Sequence, residues 1–205
     1  VPEEMIPPPS VPSRPLKDQA TTFGNKTANL ERLQRLFTED PHVVIPLFRG
    51  IQHRDILEHI TTSFPDFLPL WEEFKHVIGS PPEISRGTEV LLQIQAGIAS
   101  CFKDFDHEAI EAMMTRREKL MVRSTGHEDT KELANAGGNE SVANVAPSKD
   151  DIKEAIGRVI ASYFGMKPLR QRFESGDDIT QDPFMPVLLQ VMIGEKPTGE
   201  EAKER

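Results

Sequence analysis

Ser141-Val142-Ala143-Asn144-Val145-Ala146-Pro147-Ser148-Lys149-Asp150-Asp151-Ile152 passes from one backbone period to another within a dozen residues. Ser141 to Val145 reads as a short strand. Ser148 is a good helix N-cap, because its hydroxyl can accept a bond from an otherwise unpaired amide of the first turn. Beyond it, Ile152, Ala155, Ile156, Val159, Ile160 and Tyr163 recur at helical spacing and predict a buried helix face. A strand followed by a capped amphipathic helix brings both kinds of element into the fold.

Working outward, a further helical turn or two around Leu169–Phe173 ends at Gly176, and a loop with Asp177, Asp178 and Asp182 precedes an apolar strand from Val187 to Ile193. Upstream, Leu120-Met121-Val122 reads as a strand, and Ala109, Ile110, Met113 and Met114 as one side of a helix. The stretch Arg54–Phe105 is expected to be helical, with breaks at Pro65, Pro69 and Ser80-Pro81-Pro82. Its longest run puts Val90, Leu91, Ile94, Ile98 and Cys101 on one face. His42–Phe48 is β-rich, with Pro46 suited to an edge or a strand end. A helix from Asn25 to Phe37 has Ala28, Leu30, Leu33, Leu36 and Phe37 on one side. The first fifteen residues hold six prolines, so residues 1–20 are expected to form an extended arm or linker. Residues 21–195 then make the domain, ordered from about Phe23, and 196–205 a polar frayed tail. The expectation is a helix-rich α+β fold with a small sheet.

The 205 residues carry 24 Lys and Arg against 33 Asp and Glu, a net charge of −9, which argues against general affinity for nucleic acid. No apolar run approaches the roughly 20 residues needed to cross a bilayer, and no secretory signal is visible. The single cysteine, Cys101, excludes an intramolecular disulfide and a multi-cysteine zinc site, and a cytoplasmic setting is the expectation. Because the chain starts at Val1, it reads as an excised or processed piece.

Several motifs fail on inspection. Gly24-Asn25-Lys26-Thr27 lacks the Gly before Lys that a phosphate-binding loop requires. His53-Arg54-Asp55 has Ile60 where a kinase catalytic loop needs its metal-binding Asn. His107-Glu108 has Glu111 where a metalloprotease helix needs its second histidine. Asn25-Lys26-Thr27 and Asn139-Glu140-Ser141 match glycosylation sequons only by chance without a secretory signal. Cys101, on an apolar helical face, reads as core rather than nucleophile.

Three separated elements share a physical rationale. Lys26 at a helix start would add a cation to exposed helix amides, and both attract phosphate. Arg123, where a strand gives way to loop, can grip two phosphate oxygens in a planar fork. The glycines of Ala136-Gly137-Gly138-Asn139 let backbone amides approach a polyphosphate closely. Taken singly, each has a plain alternative: a solvated lysine, a surface ion pair, a turn.

Together they resemble a known family. Val122-Arg123-Ser124-Thr125-Gly126-His127-Glu128-Asp129, then Ala136-Gly137, then Glu140-Ser141-Val142-Ala143-Asn144-Val145 resembles the nucleotide-binding domain of phosphoenolpyruvate synthase and pyruvate phosphate dikinase. Gly24-Asn25-Lys26-Thr27-Ala28-Asn29-Leu30 and Met185–Ile193 are similar to its early Gly-Gly-Lys-Gly-Ala-Asn-Leu run and its Val-x-Val-Gln-x-Met-Val strand. The order agrees from about Phe23 to Glu195. Rifampicin phosphotransferase and the glucan and phosphoglucan water dikinases share the domain, and Ser141–Ser148 is similar to the glucan enzymes in particular.

The resemblance implies the N-terminal part of an ATP-grasp-like nucleotide-binding domain. By matching position, Lys26 and Arg123 would bind the ATP phosphates, Gly137 and Gly138 would form a flap, and Gln190 to Met192 would border the adenine. The magnesium ligands, the carrier histidine and the acceptor domain would lie outside this chain. Asn25 and Thr27 depart from the family glycines, and Asn135 from an aromatic near the flap. Two other readings stand beside this one: an interaction module that keeps the fold without nucleotide chemistry, and the ATP-binding part of a glucan-type or antibiotic dikinase. The isolated chain is expected to turn over nothing.

Overall fold

A computed structural model describes residues 16–78, 84–125, 140–174, 176 and 178–193. Among them, helices α1 (Leu16–Leu36), α2 (His53–Ser63), α3 (Phe67–Val77), α4 (Ile84–Cys101), α5 (Glu108–Met114), α6 (Lys149–Ser162) and α7 (Met166–Glu174) surround strands β1 (Phe48–Ile51), β2 (Leu120–Ser124), β3 (Ser141–Val145) and β4 (Val187–Val191). The strands form one antiparallel sheet in the order β1-β4-β2-β3, with the last strand of the chain inserted between the first two. The fold is α+β. No helix among the described residues is long and apolar enough to cross a membrane.

Helix α6 forms where the cap and the apolar period coincide. Ser148 Oγ accepts the Asp151 amide at 3.3 Å, and Asp150 and Asp151 place negative charge in the first turn, where the helix dipole favours it. Ile152, Ile156, Val159 and Ile160 are fully buried against the sheet and α4. Val90, Leu91, Ile94, Ile98 and Cys101 of α4 are likewise inside. Trp71 and Phe67 pack edge-on against Phe164, at ring separations of 5.4 and 5.6 Å. The Trp71 indole N–H donates to Asp182 Oδ1 at 2.8 Å, which ties the 178–182 loop to the core.

Alternation along the strands gives the sheet two faces, because directly paired residues of antiparallel strands point the same way. Ile51, Val187, Leu189, Leu120 and Val122 face the main core under α5 and α6. Phe48, Gly50, Leu188, Gln190, Met121 and Arg123 face the other side. There α1 crosses the sheet. A Cβ on Gly50 would lie 2.7 Å from the Phe23 ring and 3.1 Å from Thr27 Cγ2, so the missing side chain lets the helix approach. Ala28, Thr27, Phe48 and Leu188 are buried in this second, thinner layer.

Several boundaries and one apolar face differ from the sequence reading. Residues 16–20 belong to α1, and order begins before Phe23. The strand expected over His42–Phe48 lies instead at Phe48–Ile51, where partners exist in β4; Val43 and Val44 are exposed. The last strand ends at Val191, and Ile193 is exposed. Of the apolar side expected over Asn25–Phe37 only Ala28 is buried and Leu30 half-buried, while Leu33, Leu36 and Phe37 are exposed, because the helix meets the sheet through Phe23 and Thr27.

Candidate functional site

The first two elements of the sequence constellation meet. α1 breaks at Gly24, whose backbone (φ 79°, ψ 168°) lies in a region that only glycine occupies readily. A Cβ there would sit 1.3 Å from the Thr125 carbonyl oxygen, so the break presses directly on the residue after β2. Thr125 Oγ1 accepts the Lys26 amide at 3.0 Å and the Thr27 amide at 3.3 Å. The Lys26 ammonium donates to the Ser124 carbonyl at 3.1 Å. Residues nearly a hundred positions apart are thereby joined at the end of β2, next to Arg123.

Arg123 is paired with Leu188 in the sheet, so its side chain leaves on the face that carries α1. It is partly buried. Its Nε is closed to solvent and has no hydrogen-bond partner among the described residues. Thr27 Oγ1 is in the same condition. An unpaired buried polar group costs about 1–3 kcal/mol; these two share the α1 face of the sheet, and atoms in the same condition also occur at Arg116 and Arg172.

Gln190 pairs with Met121 and lies on that same face, two residues along the strand from the Arg123 position. Met192 follows the end of β4; its amide donates to the Lys119 carbonyl at 2.9 Å, and its Sδ accepts the Asn144 amide at 3.2 Å. Lys26 and Arg123 therefore stand at one end of a strand-long surface and Met192 at the other. At the strand rise, the four steps from Leu188 to Met192 span about 13 Å. Gly137, Gly138 and Asn135 lie outside the described residues.

Two parts of the sequence reading need correction here. The amides of Lys26 and Thr27 were expected to be open to phosphate at a helix start. They do open a helical segment, the one that follows the break at Gly24, but Thr125 Oγ1 caps both, so neither amide is left for an anion. Thr27 does more than stiffen a turn, since its methyl packs on Gly50. Thr125 itself was missed as an anchor. A threonine at a strand end is a possible cap, but nothing local names the amides that it meets 98 and 99 residues away.

The remaining chemistry-bearing side chains have structural partners. Cys101 is buried, and burial pushes its thiol up to about 11. His107 accepts the Ala109 amide at Nδ1 as the N-cap of α5 and meets Asp55 Oδ2 at 3.3 Å through Nε2. Lys153 lies almost wholly inside, donating to the Lys103 carbonyl and pairing with Asp106 at 3.0 Å. Among the described residues, no three His, Cys, Asp or Glu side chains converge as metal ligands. An apolar cavity of about 360 Å³ lies between Phe74, Val77, Met166, Leu169 and Phe173. A more open groove of about 750 Å³ runs past Gln95, Glu140, Arg158 and Ser162. Neither is lined by Lys26 or Arg123. Scanned against protein-family models, the chain matches none, and no curated protein matches it.

Proposed function

We propose that this chain is the ATP-binding portion of a dikinase-like phosphotransferase, the N-terminal part of an ATP-grasp-like domain. It would work with a C-terminal half, magnesium ligands and a carrier histidine that lie outside it, in the cytoplasm. One observation carries the reading: the Lys26 ammonium reaches the Ser124 carbonyl at 3.1 Å, beside Arg123 and on the same face of the sheet. Two cations so placed can neutralise the charge on a polyphosphate, which phosphoryl transfer demands alongside alignment. The Arg123 guanidinium, partly buried on that face, supports the reading because its planar fork suits phosphate oxygens. Gln190 and Met192, at the other end of the surface, suit the base of the nucleotide. In the full assembly the β-phosphoryl of ATP would pass to the carrier histidine, leaving AMP, with the γ-phosphoryl released to water as inorganic phosphate. Whether the final acceptor is pyruvate, a glucan or an antibiotic depends on residues outside this chain.

A second reading, an interaction module without nucleotide chemistry, is favoured by the capping of the Lys26 and Thr27 amides, which removes them as phosphate donors. Calorimetric titration with ATP and magnesium separates the two. The nucleotide reading expects weak binding, no AMP release by the chain alone, and a loss of roughly 1.5–3 kcal/mol in Arg123→Ala, the range for a charge-assisted bond. Indistinguishable isotherms for wild type and Arg123→Ala would favour the module.

A further inference from the structure

Lys26 is long and flexible, and an ammonium on such a stem marks a place only if its backbone is held. Beside the bond from its ammonium to the Ser124 carbonyl, one side chain remote in sequence holds that backbone. Thr125 is fully buried, and its own amide donates to the Pro186 carbonyl at 3.2 Å, which fixes it to the strand leading into β4. Its hydroxyl oxygen has two acceptor sites, and the amides of Lys26 and Thr27 take both. On the other side its carbonyl abuts Gly24, where only hydrogen leaves room.

We propose that Thr125 is the positioning residue of the phosphate site: its hydroxyl locks the turn after Gly24 to the end of β2 and so fixes where the Lys26 charge stands relative to Arg123. The consequence for ATP rests on the nucleotide reading above; the lock itself does not. Replacing the hydroxyl by a methyl of similar size would leave two amides without their acceptor while keeping the packing. Serine would keep the acceptor.

Two measurements on the full chain test this. Amide hydrogen exchange, followed by NMR, should show Lys26 and Thr27 exchanging roughly tenfold faster or more in Thr125→Val, with α6 unchanged and Thr125→Ser like wild type. Titration with ATP and magnesium should show roughly tenfold weaker binding in Thr125→Val, and no further loss when Thr125→Val is added to Lys26→Ala. Unchanged exchange at both amides overturns the lock. Simple additivity with Lys26→Ala overturns its role in placing that charge. If wild type takes up no ATP, the nucleotide reading fails, and the exchange measurement alone upholds or overturns the lock. If Thr125→Val does not fold, Thr125→Ser decides: loss of protection or of ATP affinity beyond about twofold overturns the proposal.

Discussion

Gly24 and Thr125 meet backbone to backbone, and the Lys26 turn depends on that contact. Gly24→Ala adds a Cβ at a φ that L-residues avoid and drives it into the Thr125 carbonyl. The expected loss is about 3 kcal/mol or more in urea unfolding, well above an ordinary surface change. Cys101 shows the opposite economy, a polar group kept quiet by its surroundings. Its thiol, pushed by burial to about 11 from 9.0, should resist alkylation at pH 8 until the chain unfolds. Because the folded value is the higher one, the stability linked to it is intact below the unfolded value and falls as pH rises from 9 towards 11. Rapid labelling of the native protein at pH 8 by a thiol reagent would contradict this.

Elements differ in how much they depend on the rest of the molecule. Helix α6 carries its own start signal, so Ser148→Ala should cost about 1 kcal/mol, read as a shift in the urea midpoint at constant slope. Helix α1 is different. Its first two-thirds bury Ala28 and Thr27 on the sheet, while Leu33 and Leu36 stand 42% and 64% exposed. Leu36→Ser is therefore expected to change stability by no more than about 0.5 kcal/mol. Leu188→Ala, under the same helix but fully buried, should cost about 2–5 kcal/mol. Equal effects at the two positions would mean that the α1 layer is not packed as described.

At the scale of the whole molecule, α6 is tied to the turn Phe102–Asp104 and the residues after it by charge as well as by packing. Asp106 pairs with Lys149 at 2.7 Å and with Lys153 at 3.0 Å, and the hydrogen bonds from these two ammonium groups hold its carboxyl below the usual range. A carboxyl depressed in the folded state stabilises it above its unfolded value, and the contribution is lost as pH falls through the folded one. Thermal unfolding between pH 7 and pH 3 should thus be less acid-sensitive in Asp106→Asn than in wild type. An unaltered pH profile would show the cluster to be screened by solvent.

Much of the architecture was legible along the chain. The β3 strand, the Ser148 cap, the α4 face ending in Cys101 and the α+β class follow from period and capping, which are local properties. Lys26 and Arg123 could be nominated from charge and position at element ends. What only the tertiary structure decided is which segment pairs with β4, how far α1 is covered, and that Thr125 receives the amides beside Lys26. Each depends on a partner remote in the chain, and neither hydrophobic period nor capping preference encodes the identity of a distant neighbour.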